Sequence, residues 1–209
     1  MFKSTPFRFH GKRFPLTQIF YRTLQVSASA VLSPQSNYLS NLQQERENLK
    51  YVQELRNDRN YSTLEPYDFL PDNIEANHLT GHTLNKPGEL ALTQLLFQHK
   101  SKQELVAIVH LGRKLTGHPG IIHGGLLCTL LDEALFRVVL NQWPNRGVFT
   151  GQLNVKYLKP VLPEQFIFVK SMVDRIQDRK GFCKGTISDS TGKVLTEAEG
   201  VFIVSKEEP

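Results

Sequence analysis

The chain has 209 residues, of which 40% are hydrophobic and 22% charged, a profile typical of one globular domain with an additional segment. Its two cysteines, Cys128 and Cys183, are too few for a disulfide framework and are predicted to be reduced and buried. No run of about 18 apolar residues occurs, so the sequence predicts no membrane-spanning helix.

The net charge of +5 comes from residues 1–40. That segment holds five Lys or Arg residues and no Asp or Glu, whereas the rest of the chain has 20 basic and 20 acidic side chains. A nucleic-acid partner is therefore not expected. The segment is also rich in Ser and Thr, which together with its charge is typical of a mitochondrial presequence. We therefore expect a mitochondrial protein, in the matrix or associated with the inner membrane. The alternative is a basic tail with no targeting role.

Residues 41–60 are predicted to form a charged helix with a thin apolar stripe that includes Leu42, Leu49 and Val52. Residues 61–88 contain three prolines and two glycines, so we expect mostly loop with short pieces of structure. Residues 41–74 are thus interpreted as an N-terminal extension of helix and loop. It either packs on the domain or serves as a linker.

From residue 89 the pattern predicts an α+β domain. Residues 89–99 and 104–112 are two apolar runs that indicate a β-hairpin, and residues 126–140 form a helix that is apolar on nearly every side and hence buried. Four more strands are predicted at residues 148–157, 165–176, 182–188 and 194–204. Their short connections imply antiparallel pairing, and a sheet wrapped around the helix would bury it.

Two sequence blocks carry a resemblance to a known family. They are HPGIIHGGLLCTLLDE at residues 118–133 and TGQLNVKYLKP at residues 150–160. Over roughly residues 75–205 the chain resembles the hot-dog thioesterase superfamily, and is most similar to the phenylacetyl-CoA thioesterase type and its mitochondrial relatives. The resemblance implies a hot-dog fold, an acyl-CoA substrate, an active site shared between the subunits of a homodimer or tetramer, and Asp132 as the catalytic acid.

The glycines Gly124 and Gly125 stand at the predicted start of the buried helix. The first N–H groups of a helix lack intrahelical partners and point along a positive dipole end, so an acyl oxygen can be stabilised there as an oxyanion. Glycines let that oxygen approach the backbone closely. His123 is expected to orient the turn or the substrate and not to act as a base. The alternative is that the glycines only form a tight turn.

Asp132 is a carboxylate within an otherwise apolar helix, where an unpaired charge is costly unless it has a partner or a task. It follows Gly124 by eight residues, about 12 Å along a helix axis. One copy cannot therefore act on a carbonyl bound at its own glycine turn, and two antiparallel helices from two subunits are expected. Asp132 would serve as a general base on water or as a nucleophile. Glu133 is expected to form an ion pair with Arg137 at i,i+4.

The remaining candidates have weaker signals. Thr150 matches the Thr or Ser with which some family members hold the attacking water, although it could equally be a strand residue that only packs. His118, which stands where some branches have an Asn, and Lys156 are candidate substrate-binding residues together with Gly125. The other histidines show no metal-ligand spacing and are expected at the surface or in loops.

The leading hypothesis is hydrolysis of an acyl-CoA to the free acid and CoA in mitochondria, with no metal or organic cofactor. A second hypothesis is a hot-dog scaffold that binds acyl-CoA or a protein without turnover, since one fold hosts both. A hot-dog dehydratase is a third hypothesis. It is disfavoured because the Asp and His motif of those enzymes is not seen.

Overall fold

The computed structural model describes residues 34–70 and 76–206, so most of the predicted presequence lies outside the described part. The helices are α1 (Pro34–Asn48), α2 (Lys50–Asn57) and α3 (Gly124–Leu140). The strands are β1 (Tyr61–Leu64), β2 (Leu95–His99), β3 (Glu104–Leu111), β4 (Thr116–His118), β5 (Ile121–Ile122), β6 (Val148–Tyr157), β7 (Gln165–Gln177), β8 (Lys180–Ser188) and β9 (Val194–Val204). Within the described residues, no helix is long and apolar enough to cross a bilayer.

Seven of the strands form one sheet in the order β1-β2-β3-β7-β8-β9-β6, and every neighbouring pair is antiparallel. Strands β4 and β5 form a separate short hairpin just before α3. Helix α3 packs against five strands of the large sheet, β3 and β6 to β9. The predicted α+β hot-dog architecture, an antiparallel sheet wrapped around one buried helix, is confirmed.

Helix α3 is buried because its apolar side chains face the sheet over most of its length. Among the fully buried ones are Leu131, Leu135, Val138 and Val139, which join the inner-face residues of the strands in one core. Each such side chain contributes about 1.5–3 kcal/mol relative to exposure. The helix is the element around which the rest of the domain is arranged.

The N-terminal helices differ from the single predicted helix over residues 41–60. The chain is helical from Pro34, breaks at Leu49, where the backbone is extended, and resumes as α2. At 100° per residue, Leu42 and Leu55 would lie about 140° apart on one straight helix. The break allows both side chains to be buried in the same cluster.

That cluster forms a second core on the outer face of the sheet. Helices α1 and α2 cover the outer side chains of β2, β3 and β7, among them Phe97, Ile108 and Phe168. Strand β3 is therefore buried on both faces. Strand β1, which follows α2, pairs with β2 and extends the sheet to residues before position 75. The N-terminal extension thus packs on the domain.

The predicted strand over residues 89–99 is shorter in the structure, where it begins only at Leu95. Gly88 and Ala91 both have positive φ, 84° and 63°, which is incompatible with an extended strand. The N–H of Gly112 instead bonds the carbonyl of Glu89, and residues 88–94 form a turn against the end of β3. The hairpin itself, β2 with β3, is confirmed.

His110 was expected at the surface or in a loop, and that expectation is wrong. It lies in β3 with only 3% of its surface exposed, and its ring centroid is 5.1 Å from that of Phe166. Among the described residues its Nδ1 has no hydrogen-bond partner. Burial lowers the pKa of His110, and the charge of Glu164 opposes that shift only in part. Helices α1 and α2 pack over this face of β3 and bury it. The spacing of the histidines in the sequence gave no indication of this packing.

His110 gives a testable pH dependence of stability. The fold holds it neutral, so as pH falls through the unfolded value of about 6.5 the unfolded chain gains a proton that the folded chain does not, and stability falls. His110→Leu should flatten the loss between pH 7.5 and 5.5, and should raise stability at pH 7.5 by about 1 kcal/mol because an unpaired buried nitrogen is removed. Urea unfolding at both pH values measures this.

The matched control is Ile108→Val in the same cluster, which should cost about 1 kcal/mol equally at the two pH values. An unchanged pH slope in His110→Leu would show that His110 is not the group responsible.

Candidate active site

The start of α3 is held by His123. Its backbone is extended (φ −62°, ψ 126°), and its Nδ1 accepts a hydrogen bond of 2.9 Å from the N–H of Gly125. The ring therefore acts as the N-cap of the helix, a role usually taken by Ser, Thr, Asp or Asn. Because Nδ1 accepts, the ring is in a form that leaves Nδ1 without a proton. The ring of His123 is thereby held against the first turn of α3.

The cap decides which backbone donor is open at the turn. The N–H of Gly125 bonds the His123 ring, and those of Leu126 and Leu127 bond the His123 carbonyl. Within the described residues the N–H of Gly124 has no hydrogen-bond partner. Gly124 is consequently the donor available to an incoming oxygen, at the positive end of a 17-residue helix.

Gly117, in β4, fixes the position of the His123 ring. A Cβ built on Gly117 would lie 2.5 Å from Cδ2 of the ring and 3.1 Å from the His123 Cα. Only a glycine leaves room for the ring to lie against this strand. The sequence reasoning did not single out Gly117, and nothing in its sequence position signals a contact with a residue six places later.

The first turn of α3 is also held from β6. The hydroxyl of Tyr157 donates to the carbonyl of Gly124 at 3.0 Å, and the Sγ of Cys128 lies 2.8 Å from the same hydroxyl. The hydrogen bond with Cys128 and partial burial raise the pKa of Tyr157 to about 12, so the phenol stays protonated and can donate. Cys183 is buried as predicted, whereas Cys128 is only half-buried and faces this contact.

Asp132 lies two turns further along α3, next to Thr150. The hydroxyl of Thr150 donates to Oδ1 of Asp132 at 2.9 Å, across from helix to strand β6. Both residues line a cavity of about 240 Å³. The structure thus brings together the acid and the threonine that the sequence proposed separately, and leaves Oδ2 of Asp132 free of that hydrogen bond.

Glu133 does not form the expected ion pair with Arg137. Its Oε1 accepts from the Thr80 hydroxyl at 2.6 Å and its Oε2 accepts from Nε2 of Gln94 at 3.0 Å. Arg137 forms its ion pair with Asp68, which lies on the loop after β1. The i,i+4 spacing permits the Glu133–Arg137 pair on an isolated helix. In the structure, residues that precede α3 in the sequence bind the two side chains separately.

Two predicted substrate-binding residues lie apart from this group. Leu153 and Val155 of β6 pack toward the core, so by strand alternation the exposed Lys156 points to the opposite face of the sheet, where it is paired in register with Glu197. His118 is exposed at the end of β4. Among the described residues, no three His, Cys, Asp or Glu side chains form a group that could hold a metal ion.

The chain is similar to known proteins over the part that contains these residues. Residues 119–196 match the family model described as the thioesterase superfamily, and this stretch contains His123, Gly124, Asp132 and Thr150. The predicted resemblance to the thioesterase superfamily is thereby confirmed.

Three curated relatives illustrate the match. The chain is 31% identical over 133 residues to the uncharacterized mitochondrial membrane protein FMP10 of Saccharomyces cerevisiae, covering 62% of this chain and 54% of that protein. It is 32% identical over 116 residues to the acyl-coenzyme A thioesterase THEM4 of Mus musculus, covering 54% and 49%. It is 27% identical over 171 residues to an uncharacterized mitochondrial protein of Candida albicans, covering 79% and 76%.

The chain spans about half the length of the first two of these relatives. Among solved structures, the PaaI protein from the phenylacetic acid degradation operon of Escherichia coli has a TM-score of 0.47 and 15% identity, covering 50% of this chain and 75% of that protein. A TM-score of that size adds nothing to the assignment.

The contact between Gly117 and His123 can be tested by substitution. Gly117→Ala should destabilise the domain by about 1–3 kcal/mol, because its Cβ would meet both the ring and the backbone of His123 and no ring rotation relieves the second clash. Gly124→Ala is the matched control, since its Cβ would make ordinary contacts of 3.4 Å with Tyr157. Thermal unfolding of the two variants compares them, and equal stability would contradict the assigned role.

Proposed function

We propose that this protein is an acyl-CoA thioesterase that hydrolyses the thioester to a free acid and CoA. The observation that carries the proposal is the Thr150–Asp132 hydrogen bond at the border of the 240 Å³ cavity. A carboxylate that is oriented by a neighbouring hydroxyl, and that faces a space large enough for an acyl group, suits activation of a water molecule. The thioesterase superfamily match over residues 119–196 supports the same reaction class.

In the proposed reaction Asp132 is the base. Its free Oδ2 takes a proton from water as the water oxygen forms a bond to the thioester carbonyl carbon. The carbonyl oxygen becomes an oxyanion that accepts from the open N–H of Gly124, at the positive end of α3. The C–S bond then breaks, the electron pair leaves with the CoA sulfur, and that sulfur takes the proton that Asp132 removed from the water. Thr150 holds the carboxylate in the orientation that this requires. The nucleophile route, in which Asp132 itself attacks the carbonyl carbon, remains the second possible role.

We also propose that the active site is formed between two copies of the chain. Gly124 and Asp132 are separated by eight residues on one helix, about 12 Å, so one copy does not bring both to one carbonyl. Strand β6 is one of the two edges of the sheet, and its ten residues are mostly exposed. A long unpaired edge next to the α3 face is suited to pairing with a second copy. A homodimer, or a tetramer built from two dimers, would then place Asp132 of one copy against Gly124 of the other.

We place this activity in mitochondria, as part of the proposal. The acid-free composition of residues 1–40 and the mitochondrial names of two relatives support it. The proposed organisation is a presequence at residues 1–40, an extension at 41–74 and the thioesterase domain at 75–205. Because α1 begins at Pro34, assays should use the full chain, since truncation at residue 40 would cut into a helix.

The first test is release of CoA from a panel of acyl-CoAs by the full chain. Asp132→Asn should lower kcat by about 10² or more because the base is lost. Thr150→Val should lower it by about tenfold, as expected for one hydrogen bond to a charged group. Thr63→Val, an exposed threonine on β1, is the matched control and should retain the wild-type rate. Binding of acyl-CoA with no turnover of any panel member would favour the non-catalytic scaffold.

The dimer arrangement has its own test, because residue 128 is midway between positions 124 and 132. If antiparallel helices place Asp132 against Gly124 of the second copy, the two-fold axis must pass near Cys128, and the two Cys128 side chains must face each other. Diamide should then link two chains through Cys128, forming one S–S bond while two electrons and two protons pass to the diamide. Non-reducing gel electrophoresis measures the covalent dimer.

Cys128→Ser should abolish that product, since Cys183 is buried at 2% exposure. Moving the thiol by one residue, in Cys128→Ser with Thr129→Cys, turns it about 100° around the helix and should not restore the product. A protein that is dimeric by sedimentation and yet is not linked through Cys128 would reject this register.

A further inference from the structure

The cavity beside Asp132 has two unlike walls. Its volume of about 240 Å³ corresponds to about eight groups the size of a water molecule, at about 30 Å³ each. One wall is apolar and is formed by Leu96, Leu105, Ala107, Ala134 and Phe136. The other wall is polar and includes Tyr67, Gln94 and Glu133. The mechanism proposed above uses no residue of this polar wall.

Glu133 is the centre of the polar wall. Thr80, which donates to it, is 2% exposed, and Nε2 of Gln94 donates both to Glu133 and to the hydroxyl of Tyr67, the latter at 3.1 Å. Within the described residues no Lys, Arg or His pairs with this carboxyl. Burial raises the pKa of Glu133, and the two hydrogen bonds oppose that shift. A carboxyl that is half-buried without a cation costs stability, and such groups are commonly retained for function.

The hydrogen bonds leave acceptor capacity on the cavity side. A carboxyl group has about four lone-pair sites, and the donors from Thr80 and Gln94 occupy two of them. Both protons of the Gln94 amide are engaged, by Glu133 and Tyr67. An acyl chain in the cavity would therefore meet Glu133 as a group that is partly removed from water and still has room for further donors.

We propose that Glu133 determines substrate specificity, by selecting acyl groups that carry a hydroxyl a few bonds beyond the thioester carbonyl. This rests on the proposed thioesterase function, since it assigns the acyl group to the same cavity. Asp132 and Glu133 are successive residues whose side chains point about 100° apart on α3. The thioester carbonyl of the substrate lies at Asp132, and the hydroxyl of its acyl group reaches Glu133.

A hydroxyl suits this wall better than the alternatives do. An alkyl chain would cover the free lone pairs of Glu133 and leave them without water or partner, which costs about 1–3 kcal/mol. A carboxylate would meet Asp132 and Glu133, while the one Lys or Arg of the lining, Arg137, is already paired with Asp68. A hydroxyl donates to an ionised carboxylate and accepts from a protonated one, so it binds in either state.

The experiment compares pairs of ligands of equal length that differ by one hydroxyl. Non-hydrolysable thioether analogues of the acyl-CoA pair are titrated into the full-length protein by calorimetry, and CoA release is measured with the corresponding thioesters. The wild type should bind the hydroxylated analogue about tenfold or more tightly. Glu133→Leu should reverse the preference, because the wall becomes apolar, and Glu133→Gln should reduce it. Glu199→Leu, on the exposed outer face of β9, is the control and should leave the ratio unchanged.

The outcomes separate the two proposals. A preference in binding without CoA release would overturn hydrolysis and keep the assignment of Glu133. CoA release with equal affinity for the two analogues would overturn the assignment of Glu133 and keep hydrolysis, as would a preference that survives in Glu133→Leu. If Glu133→Leu does not fold, the wild-type ratio and Glu133→Gln decide the question alone. Binding of neither analogue would overturn both proposals.

Discussion

The burial of α3 is the constraint on which the rest of the molecule depends. Its leucines and valines require cover on nearly every side, and the inner face of the curved sheet supplies most of it. The buried hydroxyl of Ser171 in β7 also donates to the carbonyl of Ala134 and ties the helix to the centre of the sheet. Asp132, Glu133 and Arg137 fall within about 140° of the helix circumference. That arc is where the cavity lies, because an apolar strand face could not satisfy three charged groups.

The same helix divides the proposed chemistry between two places. Its N-terminal end presents a backbone N–H, and its middle presents a carboxylate about 12 Å away. Strand β6 holds both, through Tyr157 at the carbonyl of Gly124 and Thr150 at Asp132. Since β6 is also an edge strand of the sheet, the element that orients each half of the site is the element that a second copy would contact. Assembly and orientation of the site are therefore coupled on the proposed arrangement.

Periodicity predicted the fold well where one pattern acts alone. The apolar helix α3 and strands β6 and β9 have the boundaries expected from sequence, apart from two residues at the start of α3. The hydrogen bond between Asp132 and Thr150 was not predicted, because 18 residues separate them in the sequence. Asp132 was a candidate as a carboxylate in an apolar helix, and Thr150 only through the family resemblance. The prediction was wrong where a straight helix and burial of its apolar side chains are incompatible. The apolar side chains of residues 41–60 cannot all face the sheet from one straight helix, so the chain forms two helices, α1 and α2, with a break at Leu49.

Two further errors have one physical origin, which is cover by distant segments. His110 was expected at the surface or in a loop, and Glu133 in an i,i+4 pair with Arg137. The first is buried beneath the N-terminal helices, and the second is bonded by Thr80 and Gln94, 53 and 39 residues earlier. The spacing of residues within one helix or strand does not indicate which side chains from distant segments pack against it.

The residues proposed for the reaction and those proposed for substrate selectivity also lie in different parts of the chain. The turn at Gly124, the acid Asp132 and Thr150 all lie within residues 119–196, the part that matches the thioesterase superfamily. In the polar wall of the cavity, Tyr67 and Gln94 come from before that part and Glu133 from inside it. Thr80, which bonds Glu133 from behind the wall, also precedes it. Tyr67, Thr80 and Gln94 can therefore change without contacting the turn or the acid, in contrast to Gly117, which packs against His123. On the proposed function, the choice of acyl group is set by how those earlier segments fold over α3, and a relative that shares only the matched segment need not share the substrate.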